Sequence, residues 1–240
     1  MKTSERHNIK RNELAAFLDH AVFVLEQNLR PIAIGAAAVF VLAAGSYGWS
    51  RWTESRNAEA AYRLGEILRA RNTPIAFSPA AMNAPTGTQS FATAEERGER
   101  IIDLADGLLE GYGSSTSAPK ALYYKALALS ELGQYDEAAT SLETLLRDYP
   151  DDFVTPHARF KLGSVREIQG RPGEALIHFQ TLAEDVRSLF PREEGLLGVA
   201  RCHEQLGQMD EALQTYQRVV NEFPGTQYFS EARRRIDELS

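Results

Sequence analysis

The sequence predicts an all-α protein. One N-terminal transmembrane helix leads into a right-handed superhelical array of helical hairpins, closed by a C-terminal capping helix. Three observations predict this. "LGQYDEA" at 132–138 returns almost unchanged as "LGQMDEA" at 206–212, with a rougher copy, "IQGRPGEA", at 168–175. Their glycines, Gly133, Gly170 and Gly207, are spaced by 37 residues, and an even spacing of this length marks stacked structural repeats. Residues 31–50, "PIAIGAAAVFVLAAGSYGWS", carry no charge.

The N-terminal segment, 1–30, is polar and partly amphipathic. Within 12–29, Leu14, Phe17, Leu18, Ala21, Leu25 and Leu29 recur at steps of three and four, the helical period. That stripe suits a membrane surface, a partner helix, or a continuation of the apolar helix that follows. The uncharged stretch 31–50 has the length of a hydrocarbon core, roughly 30 Å as a helix. Pro31 suits its start, and Trp49 and Trp52 sit at its end, where indoles favour headgroups. A permanent anchor is the leading reading, with a cleaved signal peptide and a buried core helix as alternatives. Lys/Arg counting does not choose a side. Residues 11–30 hold two and 50–69 hold four, but counting from residue 1 the first flank holds five.

A degenerate first repeat is expected at 57–113. "AEAAYRLGEILRA" (58–70) and "EERGERIIDLADGLLEGYG" (95–113) read as its two helices, separated by an inserted loop at 71–93 rich in Pro, Ser, Thr and Gly. Three regular repeats follow, at 119–152, 156–190 and 193–224. In the first, Leu122, Ala126 and Leu129 mark one helix face, Gly133 ends that helix, Asp136 and Glu137 open the next, and Pro150 closes the unit. Acidic residues suit a helix start, and glycine supplies the positive φ of a helix end. Small residues belong where the paired helices cross: Ala126 with Ala138, Gly163 with Ala175, Ala200 with Ala212. "YP", "FP" and "FP" at 149–150, 190–191 and 223–224 end the three units alike. Residues 226–240 read as a capping helix that covers the last exposed face.

These residues resemble tetratricopeptide repeats, which pair two helices with small residues at the eighth and twentieth places and proline at the thirty-second. The layout as a whole resembles the bacterial ancillary SecYEG translocon subunit family: a short N-terminus, one span, a degenerate unit, then regular repeats. That resemblance implies a single-pass protein of the bacterial inner membrane, with a cytoplasmic N-terminus and a periplasmic repeat domain. It also implies contacts with the Sec translocon, secreted proteins and periplasmic chaperones.

The net charge of −7 and the lack of a basic face argue against a nucleic-acid partner. "RRR" at 233–235 shares its helix with Glu231, Asp237 and Glu238 and reads as solvated surface. "HEQLG" at 203–207 has Gly207 where a zinc-protease helix needs its second histidine, so no metal is expected. The single cysteine, Cys202, reads as a small buried residue. No nucleophile elbow, phosphate loop or dinucleotide fingerprint occurs. No enzyme activity, cofactor or small-molecule substrate is expected.

Binding remains. In such arrays the first helix of each pair lines a concave groove. By register its residues are Lys120, Tyr123 and Leu127, then His157, Phe160 and Ser164, then Glu194, Leu197, Arg201 and Glu204. Tyr123, Phe160 and Leu197 form an apolar strip for a peptide segment. The competing reading is that these side chains pack on one another or on the cap. Chaperone adaptors with these repeats clamp a chain-end carboxylate through Lys and Asn, where this chain has Tyr123 and Leu127. The expected function is a membrane-anchored protein-binding module near the translocon. The alternative is a structural scaffold of an envelope complex, such as those of cell division or outer-membrane assembly.

Overall fold

The computed structural model describes residues 20, 23, 29–83, 85, 87 and 89–239. Nearly all of the amphipathic stretch expected at 12–29 lies outside them. The chain divides into two units, Met1–Ser55 and Arg56–Ser240.

Helix α1 runs from Leu29 to Asn72. In the first unit its side chains face outward: Val39, Phe40 and Leu42 are each at least two-thirds exposed. An 18-residue window of this helix has mean hydropathy 1.7, with none of it buried. It is therefore long and apolar enough to cross a membrane. The Trp49 and Trp52 rings lie 5.2 Å apart. No break separates residues 31–50 from the helix expected at 58–70. Residues 50–63 contain neither glycine nor proline, the two residues that most disfavour a helix interior.

In the second unit, α1 is followed by α2 (Pro79–Met82), α3 (Ala94–Tyr112), α4 (Ala118–Glu131), α5 (Tyr135–Asp148), α6 (Thr155–Ile168), α7 (Pro172–Glu184), α8 (Arg192–Gln205), α9 (Met209–Glu222) and α10 (Phe229–Leu239). From α3 to α10 each helix packs on the next, α2 lying outside this series. This is an array of stacked helical hairpins.

The repeated phrase is a helix stop. Gly133, Gly170 and Gly207 have φ of 76°, 70° and 74°, a conformation glycine adopts without a Cβ penalty. The residue after each glycine donates its N–H back five residues: Gln134 to Leu129 (2.8 Å), Arg171 to Arg166 (2.9 Å) and Gln208 to His203 (2.9 Å). These are three Schellman closures that satisfy carbonyls the helix leaves open. Asp136, Glu137, Glu174, Asp210 and Glu211 occupy the first turns that follow. All six small crossing residues are buried, and their size lets the paired helices approach.

The unit before these repeats is built from the C-terminal part of α1 and from α3. Ile67 and Ala70 pack with Ile101, Ala105 and Leu108. Between them the inserted segment is tied at its base, where Ile75 and Phe91 form an isolated bridge and Phe91 N–H donates to Pro74 O at 3.0 Å. Thr93 caps α3, its hydroxyl accepting from Glu96 N–H at 3.1 Å.

Candidate functional site

Helices α4, α6 and α8 are the first members of their pairs, and α6 touches both α4 and α8. They carry the ten residues singled out by register. Nine are half-buried, and Leu197 is 3% exposed.

On α4, Lys120 Nζ donates to Thr116 O at 3.4 Å. Tyr123 lies against Tyr124, ring centroids 5.8 Å apart. Burial pushes the Tyr123 phenol above its ordinary value, against the pull of the Arg71 charge. Leu127 sits one turn further along. On α6, His157 meets Phe190 edge-on at 5.4 Å, and its ring centroid lies 5.9 Å from that of Phe153. Phe160 lies 5.2 Å from Phe190 and 5.5 Å from Phe179. Ser164 returns its hydroxyl to Phe160 O at 3.1 Å.

On α8 the side chains are internally engaged. Leu197 belongs to a core with Leu196, Ala200, Tyr216, Val219 and Ala232, so it adds no surface to the strip expected with Tyr123 and Phe160. Glu194 accepts from the Tyr228 hydroxyl, and burial raises its pKa, with the Glu193 charge adding. Arg201 forks onto Glu167 at 3.0 and 3.3 Å. Glu204 accepts from Tyr216 at 2.6 Å and from Arg235 Nε at 3.1 Å. The cap helix α10 packs on α9, and its Arg235 reaches Glu204 at this end of the face.

The free part of the face continues into a cleft of about 340 Å³ between the linkers 149–154 and 185–191. Phe153, His157, Arg159, Leu189 and Phe190 line it. In the sequence Phe190 reads only as the end of a unit, and neither Phe153 nor Arg159 stands out. The only signal was an aromatic before each closing proline, and whether it reaches the next helix depends on the linker's path.

On α7, His178 has a buried Nδ1 with no hydrogen-bond partner among the described residues. Burial lowers its pKa from the ordinary 6.5. Arg159 and Arg166 lower it further, against Glu143 and Glu174. Below about pH 6.5 the unfolded chain therefore binds a proton the folded chain refuses, and stability falls as pH drops toward the depressed folded value. Urea midpoints should drop between about pH 7.5 and about pH 5.5, and His178→Gln should flatten that slope. An unchanged slope in the variant would remove His178 as its source.

Cys202 is buried, and its thiol is pushed up to about 12 by burial, with Glu167 adding and Arg201 opposing. It is a protonated core residue, not a nucleophile. Among the described residues no three His, Cys, Asp or Glu side chains gather to hold a metal ion.

A family model described as a tetratricopeptide repeat-like domain matches residues 25–239. Solved structures match at low similarity. MamA (residues 41 to the end) from Desulfovibrio magneticus RS-1 is 18% identical with a TM-score of 0.45, over 60% of this chain and 78% of that one. MamA of AMB-1 is 18% identical with a TM-score of 0.44, over 76% and 95%. A thermophilic TPR protein of Thermus thermophilus is 19% identical with a TM-score of 0.32, over 60% and 90%. No curated protein matches.

Proposed function

Because this chain belongs to the tetratricopeptide repeat-like domain family, whose domains mediate protein–protein interaction, we propose that it is a membrane-tethered, non-enzymatic module that binds segments of other proteins on its α4–α6 face. One observation carries this reading. Lys120, Tyr123, Leu127, His157, Phe160 and Ser164 stay partly open to solvent along α4 and α6, whereas the α8 residues of the same register are held by ion pairs, tyrosines and core packing. The open portion combines aromatic area with a few polar groups, the composition of peptide-binding surfaces.

The apolar part of α1 is the proposed tether. An apolar helix surface with no cover in its own chain marks a membrane or partner contact, and its length fits a bilayer. The proposed topology has the N-terminus in the cytoplasm and Arg56–Ser240 in the periplasm. Flanking charge is nearly balanced, and long domains translocate largely regardless of it. The proposed place of action is beside the Sec translocon, on secreted proteins or the chaperones that hold them. A tether there raises the effective concentration of a weak binding face. The layout's resemblance to ancillary translocon subunits supports this reading.

The test places a photo-crosslinking amino acid at Tyr123 or Phe160 of the full chain in cells. A ladder of adducts, absent with the probe at the exposed Gln217 of α9, is the expected result. A single product of fixed stoichiometry identifies a scaffold subunit of an envelope complex instead. Equal products from Gln217 overturn the face assignment.

A further inference from the structure

We propose that the segment inserted between α1 and α3 is a second docking element, whose Phe77 ring seats in an uncharged apolar pocket of a folded partner protein. Phe77 is 93% exposed and Met82 70% exposed. Phe77 is also the one non-glycine residue with a positive φ among the described residues, at 62°. Ser78 N–H donates to Ile75 O at 3.1 Å, closing a turn in which Phe77 holds the third place. A positive φ there suits glycine or asparagine, and a bulky residue holds it only under strain. The ring therefore strains the backbone and gains no cover from this chain in return.

The strained turn is braced on both sides. Ala76 N–H donates to Phe91 O at 2.7 Å, and Phe91 N–H to Pro74 O at 3.0 Å. Phe91 in turn packs on the core that holds Ile67, Ile101 and Leu108. Beyond the turn Ser78 caps α2, its hydroxyl accepting from Ala81 N–H at 3.2 Å. A ring fixed in advance loses little freedom on binding. That gain is realised against a shaped pocket, whereas a fluid lipid surface or an extended peptide adapts to a ring in any orientation. Charge narrows the partner further. Residues 73–94 carry no Asp, Glu, Lys, Arg or His, in a chain that is 25% charged. Without Lys or Arg the segment has no attraction to anionic headgroups. An uncharged partner surface meets it without leaving a buried charge unpaired. A second copy of this chain is a poor seat, because its cleft is lined by Asp151, Asp152, Asp185, Arg159 and Arg187. An aromatic ring in a fitted, desolvated pocket is a common anchor of protein interfaces.

The test places a photo-crosslinking amino acid at Met82 of the full chain in cells and maps the adducts by mass spectrometry. Expected is one other protein, crosslinked at apolar residues of a folded domain, and absent with the probe at Gln217. Phe77→Gly should cut that adduct about tenfold or more. The urea midpoint of the same variant, purified in detergent, should stay level or rise, because glycine takes this φ without strain. Phe77→Leu keeps apolar bulk and should retain more of the adduct than Phe77→Gly. The proposal fails if the adducts are lipid, a second copy of this chain, or a charged or unfolded segment. It fails equally if no protein is captured or if Phe77→Gly leaves the adduct unchanged. A lowered midpoint in Phe77→Gly would make the ring a packing residue and overturn the proposal as well.

Discussion

Phe179→Ala should lower the unfolding free energy by about 3–5 kcal/mol, read as a reduced urea midpoint of the full chain by circular dichroism. The ring is fully buried on α7 and is the wedge between the second and third repeats. A Cβ added at Gly163 of α6 would lie 2.8 Å from it, and one at Gly198 of α8 would lie 2.4 Å away. Phe160 meets its edge at 5.5 Å, and the Arg201 guanidinium lies 5.7 Å from its centroid. Glycine walls have no side chain to swing into the space an alanine leaves, so the cavity stays open and the loss falls at the upper end. In an array each unit is held only by its neighbours. Amide exchange in α6–α8 should therefore rise before exchange in α3–α5 does. A midpoint change worth less than about 1 kcal/mol would show that Phe179 is not the wedge.

What was legible in the sequence was whatever local chemistry repeats. Gly133, Gly170 and Gly207 announced three positive-φ stops, because no other residue type takes that conformation as cheaply. The small residues at the crossings announced close helix pairs. What escaped depended on neighbours distant in sequence. Register places Leu197 and Phe160 alike, but Leu197 lies in the core with Tyr216 and Ala232 and Phe160 does not. Phe190 looked like punctuation, and only the path of the 185–191 linker brings it to His157. The tie between Ile75 and Phe91 joins residues whose sequence separation gave no sign of pairing. The continuity of α1 was legible and was missed: nothing between residues 50 and 63 could have broken it.

The split of the concave face has a physical reason that bears on function. A cap must satisfy the polar groups of the last repeat, since unpaired buried charge is costly. Arg235 and Tyr228 do this for Glu204 and Glu194, which removes those carboxylates from any ligand's reach. Lys120, Tyr123 and His157 are half-buried, and the proposed site lies there.

Gly198→Ala should destabilise by about 1–3 kcal/mol, although alanine is the better helix former by about 1 kcal/mol. The sign is decided by space. A Cβ at Gly198 would stand 2.4 Å from Phe179 Cγ, far inside contact distance, and the buried ring cannot move without displacing α6. Gly107 of α3 is the control, also helical but with nothing within 4 Å of the place an added Cβ would take. There the same change should stabilise by about 0.5–1 kcal/mol. The clash also predicts coupling. Phe179→Ala removes the Cγ and Cδ atoms that meet the new methyl, so the double variant should be more stable than the sum of the single losses implies, by about 0.5–3 kcal/mol. Additive losses would mean that Gly198 is required for backbone approach to α7 rather than for the Phe179 ring. The neighbouring Gly195, whose Cβ would meet Ala183 N at 2.7 Å, sets that comparison: its replacement meets backbone, so Phe179→Ala should not rescue it.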